Sequence, residues 1–194
     1  MLFPKKHEFR PDRTESGPLN KLYITKKQRL GLLKWFLFAL LLVFISVVQD
    51  VILSQIHIFG ATTDLLCGAL LMVCIMLDPE DGCVFILTGA TVYHFSGVSP
   101  GPYAIALLTV IGLIISIFRQ AYLRRSFVAT FLCSGVAIVL YELLIWSFGA
   151  FWGHTNISRL QIFLLSGLYT LLVIPLLYPI FRVIGKIGGE SWKE

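Results

Sequence analysis

Apolar residues in this chain gather into long runs, not into the alternating or one-sided patterns of water-soluble elements. The runs are Leu32–Leu53, Ala61–Leu77, Gly82–Phe95, Tyr103–Phe118, Phe127–Gly149 and Leu160–Ile184. Crossing a bilayer core takes about 20 consecutive apolar residues in a helix. The pattern therefore predicts an all-α membrane protein, a six-helix transmembrane bundle. Gly82–Phe95 is the shortest run and also fits a tilted or re-entrant segment. Residues 1–31 read as a basic tail, 32–184 as the membrane domain and 185–194 as a second tail.

The segments between the runs carry turn chemistry. Asp78-Pro79-Glu80-Asp81-Gly82 combines Pro, Gly and three acids, and Ser96-Gly97-Val98-Ser99-Pro100-Gly101-Pro102 is uncharged and rich in breakers. Phe151-Trp152-Gly153-His154 has the amphipathic rings of an interfacial belt. Pro175 and Pro179 fall inside the sixth run, where neighbouring helices commonly satisfy the carbonyls a proline frees. Before the first run, Pro4, Pro11, Gly17 and Pro18 interrupt any helix.

Composition agrees with a bilayer setting. Of 194 residues, 57% are hydrophobic, and the mean hydropathy is +0.82. The first run is longer than a signal-peptide core and no A-x-A-like site follows it, so it is expected to be retained as a span.

Charge supplies an orientation. With six spans and both termini inside, fifteen of the sixteen Lys and Arg residues lie on the inner side. Nine precede or open the first run, Arg119, Arg124 and Arg125 lie between the fourth and fifth, and Arg182, Lys186 and Lys193 close the chain. Only Arg159 falls outside. Cytoplasmic loops are enriched in Lys and Arg, so N and C termini are expected in the cytoplasm. If the third run did not cross, the three arginines after the fourth would face outward, against this rule. The net charge of +5 then reflects topology, not nucleic-acid binding. The Lys26-Lys27-Gln28-Arg29 cluster with Lys34 reads as an anchor at the inner surface.

Candidate chemistry is sparse. Cys67, Cys74, Cys83 and Cys133 sit in or beside apolar runs without C-x-x-C spacing, which favours buried structural thiols over a metal site or a disulfide. No nucleophile elbow, zinc-protease motif or phosphate loop is present, so no catalytic residue, metal or cofactor is assigned. Polar residues within apolar runs are costly and are functional candidates. These are Gln49, Asp50, Asp64, His94 and Glu142. Asp64 serves equally as a helix cap, with Thr62 and Thr63 as further caps, or as a binding group. Glu142 lies deep in the fifth run, where a carboxylate needs a partner or a wet cavity. It favours a bundle or partner contact over a proton relay, since a relay takes several acids in series. Small-xxx-small spacing at Gly112 and Ser116, and at Ala129, Cys133 and Ala137, allows close helix approach, to a neighbour or to a partner.

Several of these residues stand in a familiar order. Val48-Gln49-Asp50, then Phe59-Gly60-Ala61-Thr62-Thr63-Asp64-Leu65-Leu66, then Phe95-Ser96-Gly97-Val98-Ser99-Pro100-Gly101 resembles the MreD family of rod shape-determining membrane proteins. Phe118-Arg119-Gln120 and Ile174-Pro175-Leu176-Leu177-Tyr178-Pro179 fit as well. The resemblance covers about Leu32 to Ile184. Thr63 stands where the family often has Pro, and Tyr93 and His94 stand near a usual acidic position. The resemblance implies a non-enzymatic scaffold of the bacterial cell-elongation machinery in the cytoplasmic membrane. Its partners would be an MreC-like protein, the actin-like MreB, a RodA-like glycosyltransferase and a class B penicillin-binding protein. Gly112, Ser116 and Glu142 would lie at the contacts. The family's fold is similar to that of the substrate-binding S components of energy-coupling-factor vitamin transporters. Such a component is the alternative reading. It would need an outward pocket lined by Gln49, Asp64, His94 and Trp152. Its usual Ala-x-x-x-Ala docking pattern is missing, because Ala39 is followed four residues later by Val43.

Overall fold

The computed structural model describes residues 26–56, 60–123 and 126–187. These residues form six α-helices: α1 (Lys26–Val51), α2 (Leu65–Met76), α3 (Pro79–Phe95), α4 (Tyr103–Tyr122), α5 (Phe127–Phe151) and α6 (Leu160–Gly185). Single 3-10 turns follow α1 at Leu53–Gln55 and precede α6 at Ile157–Arg159. Among the described residues there is no β-strand.

Each apolar run holds a helix, but the helices are not six equal spans. Four are long and apolar enough to cross a membrane: α1 with its 3-10 turn, α4, α5 and α6. The second run yields only the 12 residues of α2, about 18 Å of helix against a hydrocarbon core of about 30 Å. Ala61–Thr63 stays non-helical, and the Asp64 side chain accepts from Cys67 N–H to start the helix. The adjacent β-branched Thr62 and Thr63 resist helical packing, whereas an aspartate at the cap satisfies an otherwise unpaired amide.

The acidic turn differs too. Only Leu77 and Asp78 connect α2 to α3, and Pro79–Gly82 forms the first turn of α3. Proline is preset for the first helical position, and Glu80 and Asp81 complement the positive helix end. The breaker-rich sequence is thus a helix start. At the other end of the chain order, α1 begins at Lys26, so 26–31 is helix where tail was expected. The other tail residues lie outside the described residues.

Side-chain contacts fix the helix directions. Gln49, late in α1, meets Leu66 at the start of α2. Tyr93, late in α3, meets Asp64 before α2. Gln120, late in α4, donates to Asp78 between α2 and α3. Phe127, at the start of α5, lies edge-on to Tyr178, late in α6, at 4.7 Å between ring centres. Phe38, midway along α1, approaches Phe181 in late α6 at 6.3 Å between ring centres. Successive helices therefore run antiparallel. The start of α1 and the ends of α2, α4 and α6 share one end of the bundle.

The core is built around α2. All twelve of its residues are buried, and it packs against each of the other five helices. Its uniformly apolar sequence, Leu65–Met76, needs this surround: a helix apolar on every side is stable in a core or in lipid. Glycines permit the close fit. A Cβ on Gly68 would stand 2.5 Å from Thr170 Cγ2 of α6, and one on Gly112 would stand 2.2 Å from Ile86 Cδ1 of α3. Ser116, one turn from Gly112, donates to the Cys74 carbonyl at 3.3 Å. This face of α4 is occupied within the chain, as is the buried Ala129, Cys133 and Ala137 ladder of α5. Pro175 and Pro179 lie within the continuous α6 and point away from the core.

Candidate functional site

Three of the five polar candidates, Gln49, Asp64 and Glu142, converge at the N-terminal end of α2. A helix start exposes amides with no intrahelical acceptor, and here two neighbouring side chains answer them. Asp64 Oδ1 accepts from Cys67 N–H at 3.1 Å. Gln49 of α1 accepts from Leu66 N–H through Oε1 at 2.6 Å and donates through Nε2 to Asp64 Oδ1 at 3.3 Å. Tyr93 of α3 donates its hydroxyl proton to Asp64 Oδ2. Asp64 N–H in turn donates to Thr170 Oγ1 of α6 at 3.0 Å, and Thr170 passes its own proton to the Ser166 carbonyl at 2.9 Å. Three other helices are thereby tied to one helix end.

Beside this network lies a cavity of about 210 Å³. Gln49, the Gly60–Asp64 entry strand, Tyr93, Tyr141, Glu142 and Ser166 bring polar groups to its wall. Glu142 is buried, and its Oε1 accepts from Ser166 Oγ at 3.2 Å. Gly167 of α6 lies opposite, where a Cβ would make ordinary van der Waals contact with Glu142 Cγ at 3.4 Å. Among the described residues no Lys, Arg or His lines the cavity. An adjoining cavity of about 470 Å³ shares Pro100, Ile145 and Phe163 and adds Tyr103, Trp152 and His154. Tyr103 and Trp152 meet edge-on at 5.2 Å.

The sequence candidates thus separate into groups. Gln49, Asp64 and Glu142 share the first cavity. Asp64 is the α2 cap and also a cavity wall, so cap and binding position coincide in one residue. Trp152 belongs to the adjoining cavity. His94 is half-buried beside Phe95, with ring centres 5.9 Å apart, and lines neither cavity. Asp50 is exposed. Gly112 and Ser116 face α2 and α3, toward the other end of α2. Cys67, Cys74 and Cys133 are buried free thiols, and Cys83 is half-buried.

Four site residues carry no sequence signal of their own. Tyr93, Tyr141, Ser166 and Thr170 are ordinary members of apolar runs. Only Tyr141 had a hint, its place next to Glu142. A further surprise lies at the opposite end: Arg119, read as a surface topology charge, is 1% exposed.

Among the described residues no group of three His, Cys, Asp or Glu side chains is placed to hold a metal ion. What the arrangement offers is two carboxyls, several hydroxyls and an aromatic approach. Compared with protein-family models, with curated proteins and with solved structures, the chain matches none.

Proposed function

We propose that this chain is an MreD-like, non-enzymatic scaffold of the bacterial cell-elongation machinery. It would sit in the cytoplasmic membrane as a six-span bundle with both termini inside. In this reading the two shorter helices complete the set, because non-helical backbone at membrane depth is tolerated where protein surrounds it. The grouping of Arg29, Lys34, Arg182 and Lys186 on the start of α1 and the end of α6 supports the orientation. Those two helix ends lie together, and basic residues favour the cytoplasmic side.

The single observation that carries the scaffold reading is the outward face of α1. Leu32, Leu33, Phe36, Leu40, Val43, Phe44 and Val47 are all exposed. Beside them, Leu37, Leu41 and Ile184 help line an almost wholly apolar groove of about 550 Å³. In lipid, helices associate through shape, since lipid tails are as apolar as leucine. A groove along a spanning helix gives a partner helix more packing than a smooth face does. The partner in this reading is the transmembrane helix of an MreC-like protein, with RodA-like and class B penicillin-binding proteins in the same assembly.

Co-purification in mild detergent tests it. The native chain should retain an MreC-like protein, and Leu40→Ala with Phe44→Ala should lose it while the bundle stays folded. Recovery of no such partner, or equal recovery by the groove variant, overturns the reading. A second reading is an S component of an energy-coupling-factor transporter, which the cavity at Asp64 and Glu142 favours. A vitamin carried through purification would support it.

A further inference from the structure

The cavity at the head of α2 has an uneven hydrogen-bond account, which the scaffold reading does not use. Asp64 is fully engaged: Oδ1 accepts from Gln49 and Cys67, and Oδ2 accepts from Tyr93. Glu142 is not. Among the described residues its carboxyl has Ser166 as its one hydrogen-bond donor, although an ionised carboxylate has about four acceptor sites. Next to it, the Tyr141 hydroxyl is fully buried on a residue only 2% exposed. It lies near Tyr93 but forms no hydrogen bond of acceptable geometry. Tyr93 has already spent its one proton on Asp64. Among the described residues the wall thus carries two carboxyls and no basic side chain.

Buried charges are ordinarily paired, and an unpaired carboxylate in an apolar surround is costly. Among the described residues nothing on the cavity wall supplies the opposite charge. A transition-metal ion is a poor fit, because the described residues place no third His, Cys, Asp or Glu beside the two carboxyls. The adjoining space is aromatic instead: Tyr103, Trp152 and Phe163 line it. Such ring faces attract organic cations.

We propose that this cavity binds a small organic cation, with its ammonium group against Glu142 and Asp64 and its carbon frame toward Tyr103, Trp152 and Phe163. Glu142 is the main counter-charge, because Asp64 is already committed to the helix cap. The site shares no residue with the groove along α1, so partner docking and cation binding succeed or fail separately.

The full chain in nanodiscs of zwitterionic lipid, with empty nanodiscs as the control, allows a direct test by ligand-observed NMR titration. Benzylammonium and ethylammonium are the cations, and benzyl alcohol is the neutral match for the first. Both cations should bind saturably, benzylammonium the more tightly. Benzyl alcohol should bind about tenfold or more weakly, as expected for loss of a charge-assisted hydrogen bond. Glu142→Gln should weaken both cations by a similar factor. Tyr103→Leu should weaken benzylammonium and leave ethylammonium unchanged. Absence of saturable binding by either cation overturns the proposal. So does equal binding of benzylammonium and benzyl alcohol, or a folded Glu142→Gln chain with native affinity. Should that variant not fold, the comparison of charged and neutral probes on the native chain decides alone.

Discussion

Gln49→Ala is the sharpest probe of how α2 is held. Gln49 is 4% exposed and bridges two elements of the cap. Its Oε1 takes the Leu66 amide at 2.6 Å, and its Nε2 reaches Asp64 at 3.3 Å. Truncation removes both contacts at once. Leu66 is 2% exposed, so its amide finds no other protein acceptor without movement of the chain. Leaving a buried donor unsatisfied costs about 1–3 kcal/mol, and loss of a capping contact costs about 1 kcal/mol. The two overlap, because the orphaned amide belongs to the cap, so about 2 kcal/mol is expected. Water entering the neighbouring cavity would lower this figure. Reversible unfolding in mixed micelles measures it, with Asp50→Ala as the neighbour control. Asp50 is exposed, and its change should stay within about 0.5 kcal/mol. A double-mutant cycle with Asp64→Ala should give a coupling of about 0.5 kcal/mol or more. A cost for Gln49→Ala no larger than the control would show that this bridge does not anchor α2, and the account of the central helix would fall.

Further outcomes follow from the same geometry. Gly112→Val should destabilise by about 1–3 kcal/mol through overpacking, because a Cβ there already meets Ile86 at 2.2 Å; Gly31→Ala, with open space around it, should be neutral or stabilising by up to about 1 kcal/mol, and both are read in the same unfolding assay. Maleimide labelling of the native protein should reach Cys83 first, since Cys67, Cys74 and Cys133 are buried; early labelling at Cys67 would contradict a sealed α2. In a cysteine-free background, single cysteines at Gln120 and Trp152 should label from opposite sides of the membrane, with Gln120 on the cytoplasmic side; labelling of both from one side would refute the six-span arrangement.

The long helices were legible in the sequence because their signal is local. A run such as Phe127–Gly149 specifies a helix by length and apolarity alone, and α5 ends within two residues of it. The boundaries of α2 and α3 were less legible because side-chain chemistry decided them. Asp64 stops the helix from starting at Ala61, and Pro79 begins a helix where the same residue more often marks a turn. Gln49, Asp64 and Glu142 were visible as costly polar residues in apolar runs, yet no pattern in one dimension placed them at a common cavity. That convergence depends on directions of helices: the end of α1, the start of α2 and the end of α3 come together only because successive helices alternate. Tyr93 and Thr170 were invisible for the same reason, since a hydroxyl in an apolar run reads as filler until the partner it reaches is known. Arg119 shows the converse error. Its charge fitted a topology rule, so a surface position followed, but the end of α4 carries it inward beside α2 and α5. Polar residues in this bundle are thus spent at the two ends of the one helix that protein surrounds on every side. The lipid-facing helices supply length, and the enclosed one gathers the chemistry.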